Sequence, residues 1–354
     1  MLMLEYKDYT LDFKFEAGTS RGVMRQHRAY LLKISANGLS PFGYGEAAPL
    51  PRLSVDDFEE LEPVLLELIN NLRRCELPSN QKDVFDLVAE LVSPAFPSVR
   101  FALETALLDL LHRGNQIIFP SEFLKGQSIP INGLIWMGDQ DFMRTQVDKK
   151  LEAGFTCIKI KVGAIDWEHE LDIIQYIRSK SRDVTIRLDA NGGFPTNEVF
   201  ARLKDLDGLD IHSIEQPIMP RQPEAMRLIC EKSKIPIVLD EELIGITDHR
   251  AKKVLLEDCL PAFIILKPTL LGGFRASLEW IKIAEELGID WWFTSALESN
   301  VGLNAISQFA ASLEPKPYHG LGTGQLYHNN IMSPLTIEGE RLHYNHTYNW
   351  HMPF

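Results

Sequence analysis

Two patterns of apolar and polar positions divide the chain. Over residues 1–50 the two kinds of side chain alternate. KDYTLDFKF, RAYLLKIS and FGYGEAAPL read as antiparallel strands separated by turn residues. Apolar residues then recur at helical spacing in VDDFEELEPVLLELINNLRRC (55–75) and SVRFALETALLDLLHR (98–113), so the first block is α+β. The pattern changes near residue 129. A short apolar strand, IPINGLIW, opens a series of strand-like runs: CIKIKV, VTIRLDA, IHSIEQPI, IPIVLDEE, AFIILKP, IDWWFTS and YHGLGTG. Helical patterns such as DWEHELDIIQYIRSKS and GGFRASLEWIKIAEELG lie between them. In the second, Phe274, Leu278, Ile281 and Leu287 form one apolar stripe that Gly288 ends. Alternating β and α units predict a parallel sheet. Eight β units are the number that closes a TIM-type (β/α)8 barrel. An open doubly wound sheet fits less well, because no glycine-rich dinucleotide loop follows the first strand. The predicted division is an α+β domain over 1–125, a barrel over 126–324 and a C-terminal segment over 325–354. That segment is polar and aromatic, turns at EGE, and is expected to return onto the N-terminal block.

Composition narrows the function classes. The chain has 354 residues, 45% of them hydrophobic, enough for a large core and too apolar for disorder. No apolar run approaches the roughly 20 residues that span a bilayer. The first residues lack a signal-peptide layout, so a cytoplasmic location away from membranes is expected. The net charge of −13 (36 basic against 49 acidic residues) disfavours nucleic acid but leaves room for a small acidic substrate at a locally basic site. Cys75, Cys157, Cys230 and Cys259 form no C-x-x-C pair and read as free thiols. The oligomeric state is left open.

The chemistry lies at the ends of the strand-like runs. Lys161, Asp189, Glu215, Asp240 and Lys267 follow one another at 28, 26, 25 and 27 residues, about one strand–helix unit each. Successive strands therefore deliver one ionisable side chain apiece to the C-terminal rim, where barrels of this kind hold their active sites. A single strand-end carboxylate commonly caps the next helix. Three in register on neighbouring strands repel one another and need a cation, and all-oxygen ligands favour Mg²⁺ or Mn²⁺. Lys161 and Lys267 lie four strands apart, on opposite sides of that cluster. Lys159 shares a face with Lys161, and its charge should push the Lys161 pKa down. The layout suits removal of a proton next to a substrate carboxylate, or its return from the other side. Asn191 is expected to bond substrate or a metal ligand. Glu241 is expected to point away and support the metal ligands from outside, pairing with Lys267. Thr294 and Ser295 offer hydroxyls to a carboxylate, and Gly320 and Gly322 form a bare-backbone wall. The loop holding Arg21 is either a solvated hairpin tip or a cover for the site.

The set KIKVG, IRLDANGGF, SIEQPI, VLDEEL and ILKPTLLGG resembles the enolase superfamily in its muconate-lactonising subgroup. The resemblance covers nearly the whole chain: GEAAPLPRLS and RFALETALLDLL are similar to segments of that subgroup's N-terminal capping domain, which the C-terminal segment would complete. A lysine base working with Mg²⁺ is a property of the superfamily. TSALESNVGLNAISQFAA and HGLGTGQLYHNNI are similar to the o-succinylbenzoate synthase family of menaquinone biosynthesis. This implies Lys161 as the base, Mg²⁺ on Asp189, Glu215 and Asp240, and Lys267 stabilising the anion from across the ring. It also implies a succinyl tail near Thr294, Ser295 and the strand-eight glycines, with Arg21 covering the site. N-acylamino acid racemase activity stays open. Dipeptide epimerases of the subgroup carry Asp-x-Asp at strand eight, where this chain has Gly320, Leu321 and Gly322. A catalytically silent barrel that only binds a metal or ligand would be expected to lack a lysine or an acid of the series, and none is missing.

Overall fold

The N-terminal sheet is a meander of β1 (Leu2–Thr19), β2 (Gly22–Ala36) and β3 (Leu39–Ala47), paired antiparallel in the order β1-β2-β3. The computed structural model describes residues 1–19 and 22–354, with the side chain of Thr19 outside the description. Alternation puts Leu2, Leu4, Leu32 and Ile34 into the core, against α1 (Phe58–Leu72), α2 (Gln81–Leu91) and α3 (Pro97–Leu111). Asp57 and Asn80 cap the first two helices through their side chains. Strand β3 lies directly on α3. A Cβ at Gly43 or Gly45 would stand 2.0 Å from the carbonyl oxygen of Ala106 or Ala102, so only glycine fits there.

The alternating region forms one curled parallel sheet of seven strands: β5 (Gly133–Ile135), β6 (Cys157–Lys161), β7 (Thr185–Asp189), β8 (Ile211–Glu215), β9 (Ile237–Leu239), β10 (Phe263–Leu266) and β11 (Asp290–Phe293), in sequence order. The run expected to be a single first strand divides. Its start forms β4 (Ile129–Pro130), which pairs outside the barrel, and only Gly133–Ile135 joins the barrel. The expected eighth strand is reduced to two parallel bridges, Ile131 with His319 and Thr294 with Gly320, which join the two edges of the sheet and close it. Outside lie α4 (Gln140–Glu152), α5 (Trp167–Lys180), α6 (Val199–Asp205), α7 (Pro223–Lys232), α8 (His249–Cys259), α9 (Pro268–Leu271), α10 (Gly273–Glu286) and α11 (Asn300–Ala311). Asp139, Asp166, Asp248 and Ser299 cap four of them. Among the described residues no helix is long and apolar enough to cross a membrane.

The C-terminal hairpin, β12 (Leu335–Glu338) and β13 (Arg341–Tyr344), turns at Gly339, as EGE predicts, and β13 pairs with β4. Flanking residues reach the N-terminal sheet: Tyr327 packs its ring on Phe13 at 4.6 Å, and Lys7 donates to the Pro353 carbonyl at 2.7 Å. Two buried carboxylates of the N-terminal block sit at N-termini of barrel helices, where free backbone N–H groups favour negative charge. Glu46 accepts from the N–H groups of Ser299 (2.7 Å) and Gly302 (2.9 Å), at the start of α11. Glu104 accepts from the Phe274 N–H of α10. Burial raises both carboxyls, Glu46 to about 7 and Glu104 to about 8.

Candidate active site

The ladder pattern holds in three dimensions. Lys161 is the pairing partner of Asp189, and Asp189 of Glu215, so the first three rungs stand at one height on adjacent strands. Glu215 pairs with Val238, and Asp240 follows two residues later, just past the end of β9. Lys267 comes directly after β10 and Thr294 directly after β11. A parallel strand leaves the sheet at the rim, so the next side chain turns inward there.

All three lysines are engaged with carboxylates. Lys159 bridges two of them, 2.5 Å from Glu215 Oε2 and 2.8 Å from Asp189 Oδ2. Lys161 donates to Asp189 Oδ2 at 2.6 Å and to Asn191 Oδ1 at 2.8 Å. Lys267 pairs with Asp240. Burial pulls every ammonium down in pKa, and the local charges decide the outcome. Asp189 and Glu215 outweigh burial at Lys159 and hold it above its ordinary value. Asp240 and Glu241 do the same for Lys267. At Lys161 burial prevails, with the Lys159 charge acting in the same direction, so Lys161 falls below its ordinary value. Of the three it is the one driven toward the neutral, basic form.

The carboxylates are equally polarised. Burial alone would raise Asp189, but Lys159 and Lys161 hold it well below the usual range. Glu215 is pushed well above it by burial and the Asp189 charge. Its Oε1 is buried and accepts no hydrogen bond. Three buried lysines face four buried acids, Asp189, Glu215, Asp240 and Glu241. Among the described residues no three acidic or other ligating groups already form a cage for one metal ion. The Lys159 ammonium stands between two of the candidate ligands instead. The donor set still fits a hard divalent cation: oxygens only, on neighbouring strands, one of them unpaired, and short of positive charge. Ligation would require the ammonium groups to move off the carboxylates.

Lys159, Lys161 and Lys267 all line a cavity of about 430 Å³. Thr294, Ser295, Gly320 and Gly322 line it too, as expected from the sequence. Ser295, however, donates its hydroxyl to Glu298 Oε2 at 2.6 Å, while the buried Thr294 hydroxyl makes no hydrogen bond among the described residues. Asn191 stands behind the lysine, bridging Lys161 and Glu241 Oε1 (2.9 Å) rather than lining the cavity. Glu241 was expected to point away on the assumption that its strand continues. The strand ends at Leu239, residues 241–243 form a helical turn, and Glu241 reaches the cluster through Asn191; the ion pair of Lys267 goes to Asp240. Arg21 lies outside the described residues. The same hairpin brings Phe15, Gly22, Val23 and Met24 to the cavity, joined by Leu50, Pro51 and Arg52.

Two contributions were missed in the sequence. Gln216, fully buried, accepts through Oε1 from the N–H groups of Asp240 (3.3 Å) and Glu242 (3.2 Å), setting the turn that carries Asp240. Its place beside Glu215 in SIEQPI was the available signal. The apolar wall of Phe15, Met24, Trp136 and Leu297 gave no local signal, because it is assembled from four separate segments.

Comparison with known proteins agrees with this geometry. The family described as "Enolase C-terminal domain-like" matches residues 143–347. An o-succinylbenzoate synthase from Desulfotalea psychrophila is 41% identical over 95% of this chain and 97% of its own length. The crystal structure of MenC from Desulfotalea psychrophila LSv54 superposes with a TM-score of 0.87 at 38% identity, covering 97% of this chain and 99% of that one. A dipeptide epimerase from Enterococcus faecalis V583, complexed with Mg and the dipeptide L-Leu-L-Tyr, shares the fold with a TM-score of 0.83 at 19% identity, over 96% of each chain. Barrel, rim charges, N-terminal block and sequence similarity over nearly the full length lead to one conclusion: this chain belongs to the enolase superfamily.

Proposed function

We propose that the chain dehydrates a hydroxycyclohexadiene carboxylate bearing a succinyl tail to o-succinylbenzoate, a step of menaquinone biosynthesis. Lys161 takes the proton alpha to the ring carboxylate onto its Nζ. The carbon–oxygen bond on the neighbouring carbon breaks, and the hydroxyl leaves from the same face. It accepts the proton from Lys161, so one water departs and the ring becomes aromatic. Burial, with the positive charge of Lys159 alongside, holds the Lys161 pKa down. Lys267, on the far side, opposes the developing negative charge and faces the forming ring. Asp189, Glu215 and Asp240 would hold Mg²⁺, which supplies positive charge against the anion developing on the substrate carboxylate. Asn191 orients Lys161 through its carboxamide oxygen. Thr294, Gly320 and Gly322 border the space for the succinyl tail.

The observation that carries the reaction class is a pair of buried lysines, four strands apart, on one cavity, each paired with a strand-end carboxylate behind it. The 41%-identical synthase favours this product. The division into a capping domain, a barrel and a returning C-terminal segment is proposed with it. The test is an absorbance assay for o-succinylbenzoate with Mg²⁺ and with chelator. Turnover that needs the metal and is lost in Lys161→Ala is expected; no turnover with Mg²⁺ present removes the reading. Lysines on opposite faces also suit racemisation of an N-acyl amino acid. That second activity would appear as deuterium wash-in at the alpha carbon of both enantiomers.

A further inference from the structure

His27 lies where the N-terminal sheet, the barrel rim and the C-terminal segment meet beside the cavity. It is on β2, 1% exposed, and its ring faces two backbone carbonyls. Nδ1 is 2.9 Å from the Leu297 oxygen and Nε2 is 3.2 Å from the Pro49 oxygen. Both carbonyls belong to stretches that reach the cavity wall. Leu297 lines the cavity beyond β11, and Leu50 and Pro51, which follow Pro49, line it from the N-terminal block.

The Leu297 turn needs support. Its φ of +68° is left-handed, a conformation that costs a residue with a Cβ about 1–2 kcal/mol. Two donors converge on its carbonyl, Tyr327 Oη at 2.6 Å and His27. A neutral imidazole has one N–H. The shorter contact places it on Nδ1, and burial holds the ring below its ordinary pKa, against the opposing pull of the backbone carbonyls and Glu298.

We propose that His27 is a positioning residue for substrate binding: its Nδ1–H ties the Leu297 turn, and with it the wall from Thr294 to Leu297, to β2 of the N-terminal sheet. The inference rests on the reaction proposed above, because that reaction supplies its assay. His27 touches neither the lysines nor the carboxylates of the site, so its removal should affect binding and leave the chemical step alone.

The test compares wild type, His27→Ala and His27→Gln in the o-succinylbenzoate assay, with product binding followed by calorimetric titration. His27→Ala is expected to raise KM and the product Kd about tenfold, the size of one lost hydrogen bond, with kcat within about twofold. His27→Gln, whose amide still donates, should recover most of the loss. In the wild type, ¹⁵N spectra of the imidazoles should show His27 carrying its proton on Nδ1 at neutral pH. A fall in kcat with KM unchanged, a Gln variant no better than Ala, or a proton on Nε2 overturns the proposal. If the Ala variant does not fold, the Gln variant and the wild-type spectrum still decide. If the wild type neither forms nor binds o-succinylbenzoate, the proposed reaction has failed and this inference with it. Normal wild-type turnover with unmoved variants removes this inference alone.

Discussion

Replacing Lys159 with methionine tests the charge balance of the site. The ammonium lies 2.5 Å from Glu215 Oε2 and 2.8 Å from Asp189 Oδ2, and all three side chains are at most 6% exposed. Methionine keeps the apolar stem and removes the charge, leaving two buried carboxylates with one shared cation fewer. Breaking a buried ion pair from one side costs about 3–5 kcal/mol. At about 2 °C per kcal/mol for a chain of this size, Tm in chelator should fall by roughly 6–10 °C. Mg²⁺ should then offset part of the loss, because a ligand at 100 times its Kd adds about 2.7 kcal/mol. The gain should exceed that of the wild type, in which the ammonium competes for the same oxygens. Thermal melts of both proteins, each in chelator and across a Mg²⁺ titration, give the answer. A variant whose Tm in chelator matches the wild type, or equal Mg²⁺ shifts in the two proteins, would refute the reasoning.

Three further outcomes are expected. Gln216→Ala leaves the N–H groups of Asp240 and Glu242 without their acceptor; it should weaken Mg²⁺ binding by about 10–100-fold, as read by titration calorimetry, with Lys161 chemistry intact. Gly320→Ala places a Cβ 2.6 Å from Thr294 Oγ1, so the rim must shift; about 1–3 kcal/mol of destabilisation is expected in denaturant melts, with a raised KM. Glu104 titrates near 8 in the folded chain against 4.5 ordinarily, so the folded state keeps a proton that the unfolded state releases. Its contribution is complete below pH 4.5 and is lost as pH rises through about 8. The urea midpoint should therefore fall from about pH 5 to pH 9 in the wild type and less steeply in Glu104→Gln.

The rim charges were legible because one period governs them. A strand–helix unit of 25 to 28 residues returns each strand end to the same height, and Lys161, Asp189 and Glu215 are indeed consecutive pairing partners. What depended on where a strand stops was not legible. Glu241 was assigned by strand alternation, but β9 ends two residues earlier and the chain turns. Gln216 presents its side-chain Oε1 from a backbone at φ +41°, a local conformation that no hydrophobic period encodes. The eighth strand followed from counting apolar runs, but YHGLGTG makes only two bridges, and its glycines have no side chains to hold a longer ladder. The pairing of Ser295 with Glu298 is not legible in TSALES, because that carboxylate comes within reach only once the rim turn has formed.

The helix-end contacts of Glu46 and Glu104 bear on how a reactant enters. They sit at two separate places along the seam, on α11 and α10, and neither carboxylate is more than 2% exposed. Swinging the whole N-terminal block aside would strip both buried carboxyl groups of their amide partners at once. Small displacements of the arm carrying Phe15 and Met24, or of the stretch at Leu50–Arg52, would open the cavity wall without breaking either contact.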